Sequence, residues 1–470
     1  MAEKMARNEG SLRDPSGYVF QRDNCIFRTI DEECFAVLHS AAENGCLEQW
    51  IRERKLVGTR FVEPPLATAL MNEHPGYQHF LAHDSIPFIS YPSEWSFRML
   101  ADGALHTLEL QQQLIAHGYS LKDATPFNIQ FVEGRPIFID AASIERPARL
   151  DIWFALGQFQ RLFLFPLLLH KYRGWDLRSY FSAHPQGRTL EQIRKNLGWL
   201  SLWRPSLMLD VTIPLLLERK ENKKKSHNRK ILSRPGTAPD SQLINLRRLH
   251  SKISTLAAHH RPDSVWSDYA SSCHYPDSAA AAKKKLVREF LALAQPRRVL
   301  DLGANTGEYS LLAAELGCQV IAADADEAAV DLLYRRLQSR PQPVSPVCLD
   351  LANPSPASGH RNQERPGFVA RARSDCVLAL AVVHHLLIAE SLSLGAICEL
   401  FSDLTSDHLI LEFIPPDDEM FRRLLQFRID WFEKLTLETC LQAFSARFAL
   451  VRRETIAQSR RSLLLLKKIG

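Results

Sequence analysis

The stretch Arg298-Val-Leu-Asp-Leu-Gly-Ala-Asn-Thr-Gly-Glu-Tyr-Ser310 constrains the chain more than any other. Val299 to Leu302 reads as a buried strand, Gly303 to Gly307 as a tight turn, and Glu308 to Leu316 as a helix. A strand that turns sharply into a helix leaves the first backbone N–H groups of that helix without partners, so a polar ligand is attracted there. The glycines let such a ligand lie close to the backbone. Strand and helix patterns alternate from this point to the C-terminus, which calls for a mostly parallel α/β sheet.

Two kinds of ligand compete for such a turn. A dinucleotide site reads G-x-G-x-x-G, in which the glycines admit a pyrophosphate. Here the glycines are Gly303 and Gly307, Asn305 lies between them, and Asp301 stands two residues before the first glycine. Gln319-Val-Ile-Ala-Ala-Asp324 is a second strand, ending in an acid 17 positions after Gly307. A carboxylate at that point can accept both hydroxyls of a ribose. Cys348-Leu-Asp350 follows, then a buried strand from Ser374 that runs into a polar turn with His384 and His385. Leu409 to Phe413 reads as a fifth strand and Arg460 to Lys467 as the last one.

These elements, in this order, resemble the class I S-adenosylmethionine-dependent methyltransferases, whose first motif is D/E-x-G-x-G-x-G. Asn305 replaces the middle glycine, a mild departure because asparagine tolerates positive φ. The resemblance covers most of residues 263–470. It implies a Rossmann-like domain with a mostly parallel seven-stranded sheet and S-adenosylmethionine as cofactor. Asp301, Gly303, Asn305, Gly307, Asp324 and Asp350 would then bind the cofactor, with Asp350 near the adenine amino group. His384 and His385 are the candidate general bases, since imidazole titrates near neutrality; a structurally satisfied turn histidine is the alternative. Tyr269 and Tyr275 precede the first motif and are candidates to shield the sulfonium by cation–π contact. Lys283-Lys284-Lys285 reads as a solvated helix face, although the resemblance also allows a contact to the cofactor carboxylate or the acceptor.

A chain of 470 residues is too long for one typical core. The N-terminal half holds a second informative segment, Leu121-Lys-Asp-Ala-Thr-Pro-Phe-Asn-Ile-Gln-Phe131, followed by Phe138-Ile-Asp140. The spacing of Asp123, Asn128 and Asp140 resembles the catalytic loop and metal-binding acid of protein and aminoglycoside kinases. In those folds the first acid orients the hydroxyl nucleophile, and the asparagine and second acid hold magnesium. Three features depart from that pattern. Leu121-Lys122 replaces the usual histidine, Ala141-Ala142 follows Asp140, and no glycine-rich phosphate loop precedes Tyr91. Arg98 and Lys55 are the candidates for a phosphate-binding cation. The whole arrangement resembles bacterial two-part methyltransferases, nodulation-associated ones included. The shared segments are the one around Asp123, the helix Gly157 to Leu168, and Trp266 to Tyr269.

The expected organisation is an α+β, degenerate kinase-like domain over 1–218, a basic linker and connecting helix over 219–262, and the methyltransferase domain over 263–470. The linker carries Arg219, Lys220, Lys223, Lys224, Lys225, Arg229 and Lys230, which reads as solvated chain. A net charge of +5 is small for this length and does not call for nucleic acid. Nine cysteines without CxxC or CxxH spacing argue against a disulfide framework and a zinc site, so the expectation is reduced thiols, a cytoplasmic protein and no metal. Met1 to Asp14 lacks the apolar run of a signal peptide. The most apolar stretch, Ile152 to Leu169, is interrupted by Gln158, Gln160 and Arg161 and reads as a buried helix rather than a membrane span. The turn after the fourth strand has no Asn/Asp-Pro-Pro-Tyr, so the expected acceptor is an oxygen or nitrogen of a small molecule or glycan. A protein acceptor, such as a ribosomal protein, and a non-catalytic cofactor-binding module are the alternatives.

Overall fold

The computed structural model describes residues 6–7, 9–199, 203–216, 239–260, 277–418, 421–422 and 435–469. The basic run 219–230 and the residues Trp266, Tyr269 and Tyr275 lie outside them.

Asp23 and Asn24 both adopt positive φ, 49° and 61°, and so close a tight hairpin between β2 (Val19–Arg22) and β3 (Cys25–Ile30). With β1 (Ala6–Arg7), β4 (Thr59–Phe61) and β5 (His79–His83) they form an antiparallel sheet in the order β1-β2-β3-β5-β4. Asp31 caps the helix Glu32–Glu43, accepting from the Cys34 amide at 2.8 Å. The chain turns at Gly45, whose φ is 71°, and helix resumes as Cys46–Arg52. The apolar run Pro87 to Tyr91 is irregular.

The long helix Phe97–Ala116 fills the centre of this half. Beyond it, β6 (Ser120–Leu121) pairs with β9 (Ile144–Glu145), and β7 (Ile129–Val132) forms a hairpin with β8 (Arg135–Phe138). The helix Asp240–Ala258 packs against Phe97–Ala116, burying Leu246, Leu249, Ile253 and Leu256 in the same core. Sequence grouped this helix with the linker. Its apolar stripe needs a partner surface, and the N-terminal half supplies it.

The C-terminal half is built on β10 (Arg298–Leu302), β11 (Gln319–Asp324), β12 (Val344–Cys348), β13 (Ser374–Ala379), β14 (Thr405–Phe413), β15 (Phe448–Thr455) and β16 (Ser462–Lys468). The order is β12-β11-β10-β13-β14-β16-β15, parallel through β14, with β16 antiparallel to both neighbours. Val299, Leu300, Val320, Ile321, Val377 and Leu378 are buried, as expected of parallel strands covered by helices on both faces. The direction of winding reverses between β10 and β13. Such a switch point opens a crevice at the carboxyl ends of the strands, where ligands bind.

The two halves are joined through the helix Glu327–Ser339, which follows β11. Its Val330 and Tyr334 enter the N-terminal core. The Tyr334 hydroxyl donates to Asp102 at 3.1 Å, Gln338 donates to the same carboxylate at 2.7 Å, and Ser96 donates to Asp331 at 3.0 Å. Arg371 reaches back to Glu94 and to the Ile89 carbonyl. Among the described residues no helix is long and apolar enough to cross a membrane, and the cysteines are free.

Candidate active site

At the end of β10 the chain turns through Gly303 (φ 67°), Asn305 (φ 49°) and Gly307 (φ 82°) before the helix Glu308–Glu315 begins. Positive φ at all three explains the two glycines and the asparagine. Gly303 is under a further constraint: a Cβ there would lie 2.7 Å from the Val382 side chain, across the crevice on the turn after β13. The Gly303 and Ala304 amides donate to the Ala323 carbonyl at 2.9 and 3.1 Å, and the Asn305 amide donates to Asp324 at 2.7 Å. The turn is thus a fixed shelf tied to the end of β11.

Asp324 sits at the carboxyl end of β11. One of its oxygens takes the Asn305 amide and the other the Asp326 amide at 2.8 Å. Each carboxylate oxygen keeps a second lone pair for an incoming donor. Burial raises its pKa, and the backbone amides oppose that rise. Asp301 lies beneath the turn, 2% exposed, and accepts from the Ser310 hydroxyl at 2.6 Å. Burial pushes its pKa up to about 7, against the Ser310 bond. Asp301 therefore braces the first turn of the helix. Asp350, after β12, is partly exposed and meets Arg178 of the helix Leu177–Ala183 at 3.4 Å. Arg178 belongs to the N-terminal half, 172 residues away, and no local sequence signal points to it.

The opposite wall of the crevice follows β13. Ala381 holds φ at 58°, a strained value for a residue with a Cβ, and leads into the helix Val383–Ile388. His384 is 4% exposed and stacks on Phe421. Burial, with His385 and nearby cations, drives its pKa well below the usual value. His385 is less buried, its ring centroid 4.2 Å from that of His384, and desolvation lowers its pKa also. Both imidazoles are neutral at neutral pH. Strain of this kind clusters at working sites, but nothing in the residue string Leu380-Ala-Val382 signals it.

Lys283 departs from the solvated face expected of its triplet. It is 7% exposed, pairs with the buried Glu412 at 2.7 Å, and lies 4.8 Å over the Tyr309 ring. Lys284 does face solvent, near Glu308. Arg461 and Asp418 close the same corner with a 2.8 Å bond.

A family model described as a methyltransferase domain matches residues 275–444. Sheet order, glycine turn, acid at the end of β11 and this match together define an S-adenosylmethionine-dependent methyltransferase. The nodulation protein NoeA of Rhizobium meliloti (strain 1021) is 34% identical over 466 residues, 98% of this chain and 96% of that protein. The chain belongs to its family. Two solved structures are also similar to part of this chain. The N-methyltransferase NodS from Bradyrhizobium japonicum WM9 in complex with S-adenosyl-l-homocysteine is 14% identical, covering 42% of this chain and 90% of its own, with a TM-score of 0.32. The magnesium protoporphyrin IX methyltransferase ChlM from Synechocystis PCC 6803, with bound SAH, is 18% identical, covering 41% and 86%, with a TM-score of 0.31.

Proposed function

We propose that this chain methylates an oxygen or nitrogen of a small-molecule or glycan acceptor, held between the β10 and β13 turns. The observation that carries this reading is the neutral, partly buried His385 on the helix that follows the strained turn, whose Val382 faces Gly303. A neutral imidazole can take the proton that a hydroxyl or amine releases as it is alkylated. When bound, the cofactor supplies an electrophilic methyl on a good leaving group, so the protein's work is alignment, worth up to about 7–11 kcal/mol in well-oriented systems. Asp324 is suited to the ribose hydroxyls, the Gly303–Gly307 shelf to close approach of the cofactor, and Asp350 to the adenine edge. His384, buried against Phe421, positions His385 rather than meeting the acceptor. The test uses labelled cofactor with a lysate from a strain lacking the protein, separated into small-molecule, glycan and protein fractions. Label should enter one of the first two and fall sharply in His385→Ala. Label confined to protein would overturn the acceptor class.

The N-terminal half reads as a kinase-like architecture that does not transfer phosphate. Its support is the antiparallel order β1-β2-β3-β5-β4 with a helix after β3, and the β6–β9 and β7–β8 pairs that bracket Asp123, Asn128 and Asp140. Asp140 accepts from Arg28 of β3 at 2.9 Å and from Asn128 at 3.3 Å. Arg28 also meets Asp14. The acid that would hold magnesium is therefore engaged by a buried guanidinium, and that cation is neither Arg98 nor Lys55. Asp123 accepts from Gln158 at 3.2 Å, which holds the loop in place.

A further inference from the structure

Away from the crevice, three potential metal ligands converge where the two halves meet. They are His170 on the helix Phe165–Arg173, His260 just beyond Asp240–Ala258, and Glu327 at the first position of Glu327–Ser339. One donor atom from each lies within 4.8 Å of the other two. We propose that His170, His260 and Glu327 bind a zinc-type divalent ion that ties the N-terminal half to the segment following the ribose acid Asp324.

Four observations carry the assignment. His260 is 7% exposed, yet its Nε2 has no hydrogen-bond partner among the described residues. A buried ring nitrogen left unpaired is unfavourable, and coordination would relieve it. His170 is oriented as a ligand is: its Nδ1 bonds the Trp175 carbonyl at 2.9 Å, which fixes the tautomer and leaves the Nε2 lone pair for the cluster. Glu327 accepts from the Phe97 amide at 2.7 Å and retains a second oxygen. The Phe97 ring stacks on His260 at 4.1 Å and lies 4.8 Å from His170, so the site has an apolar wall that excludes competing water.

The charges facing the cluster favour a cation. Asp176, Asp326 and Asp331 lie around Glu327, whereas Lys171 and Arg335 stand on the His260 side, and Arg335 is paired with Asp331 at 2.8 Å. Two imidazoles and one carboxylate suit zinc, whereas calcium and magnesium prefer all-oxygen sets. Tetrahedral zinc sets its ligand atoms about 3.3 Å apart, so closing the cluster takes a rotamer-scale adjustment. Three protein ligands leave a fourth position for water. Glu327 is three residues past Asp324, so the ion would anchor the far end of the loop that grips the cofactor ribose.

The experiment uses the untagged full-length protein, stripped with chelator and titrated with cobalt(II), then with zinc(II). The visible absorption of tetrahedral cobalt should saturate at one ion per chain and be displaced by zinc. It should be lost in His260→Ala, and chelator should lower the wild-type Tm toward that of the variant. Where His260→Ala does not fold, Glu327→Gln decides, because its amide oxygen still accepts from the Phe97 amide. A folded wild type with no cobalt band, or a band of equal strength in the variant that folds, would overturn the site.

Discussion

Asp301 offers a prediction whose size follows from its surroundings. The carboxyl is wholly enclosed under the cofactor turn and titrates near 7 rather than at its ordinary 3.8, chiefly through loss of water. The sign follows from proton counts. Below about pH 4 folded and unfolded chains both hold the proton, and burial costs nothing electrostatic. Between about pH 4 and 7 the folded chain keeps a proton that the unfolded chain has lost, so stability falls as pH rises through this window. Above about pH 7 both are ionised and the full cost is present, about 4 kcal/mol for a difference of this size. Asp301→Asn removes the titration while its side-chain oxygen still accepts from Ser310. The stability of the variant relative to wild type should therefore climb by up to about 4 kcal/mol from pH 4 to pH 8. Reversible denaturant unfolding at four or five pH values measures the difference and cancels other titrating groups, Glu327 among them. A flat difference, or one that falls with pH, would refute the assignment of Asp301 as a buried brace.

Three further outcomes are expected. Asp324→Ala should weaken S-adenosylhomocysteine binding about 10²- to 10⁴-fold, since two charge-assisted hydrogen bonds of about 1.5–3 kcal/mol each are lost; calorimetry on the folded variant reads this directly. Tyr334→Ala should destabilise the full chain by about 3–5 kcal/mol, and the two halves should still unfold in one transition because Tyr334 belongs to the N-terminal core. Separate transitions in wild-type calorimetry would show that they are independent. Magnesium-ATP should give no phosphate release above background, because Arg28 and Asn128 occupy Asp140; turnover that disappears in Asp140→Ala would reveal a working kinase.

Much of the C-terminal half is legible in the sequence because its signals are local. A buried strand, two glycines needing positive φ and an acid at the end of the next strand are all written within 27 residues, from Arg298 to Asp324. What escapes is set by partners far apart in the chain. Asp301 belongs to the motif, but its burial is visible only once Ser310 folds over it. Arg28 meets Asp140 across 112 residues, and Arg178 meets Asp350 across 172. Lys283 looks like its neighbours in the string until Glu412 is placed beside it. The proposed metal ligands lie 90 and 67 positions apart, so a search for short-range ligand spacing passes over them. The helix Asp240–Ala258 carries an amphipathic stripe, which says that a partner surface exists but not which one.

The central claim is that the crevice at the carboxyl ends of β10, β11 and β13 binds S-adenosylmethionine. Calorimetric titration of the intact protein with S-adenosylhomocysteine tests it most directly, with Gly303→Arg as the paired variant. One binding site per chain is expected in the wild type, and none in the variant, whose side chain would collide with Val382 at the first bond. A folded wild type that takes up no cofactor, or a folded Gly303→Arg that binds as tightly as wild type, would contradict it.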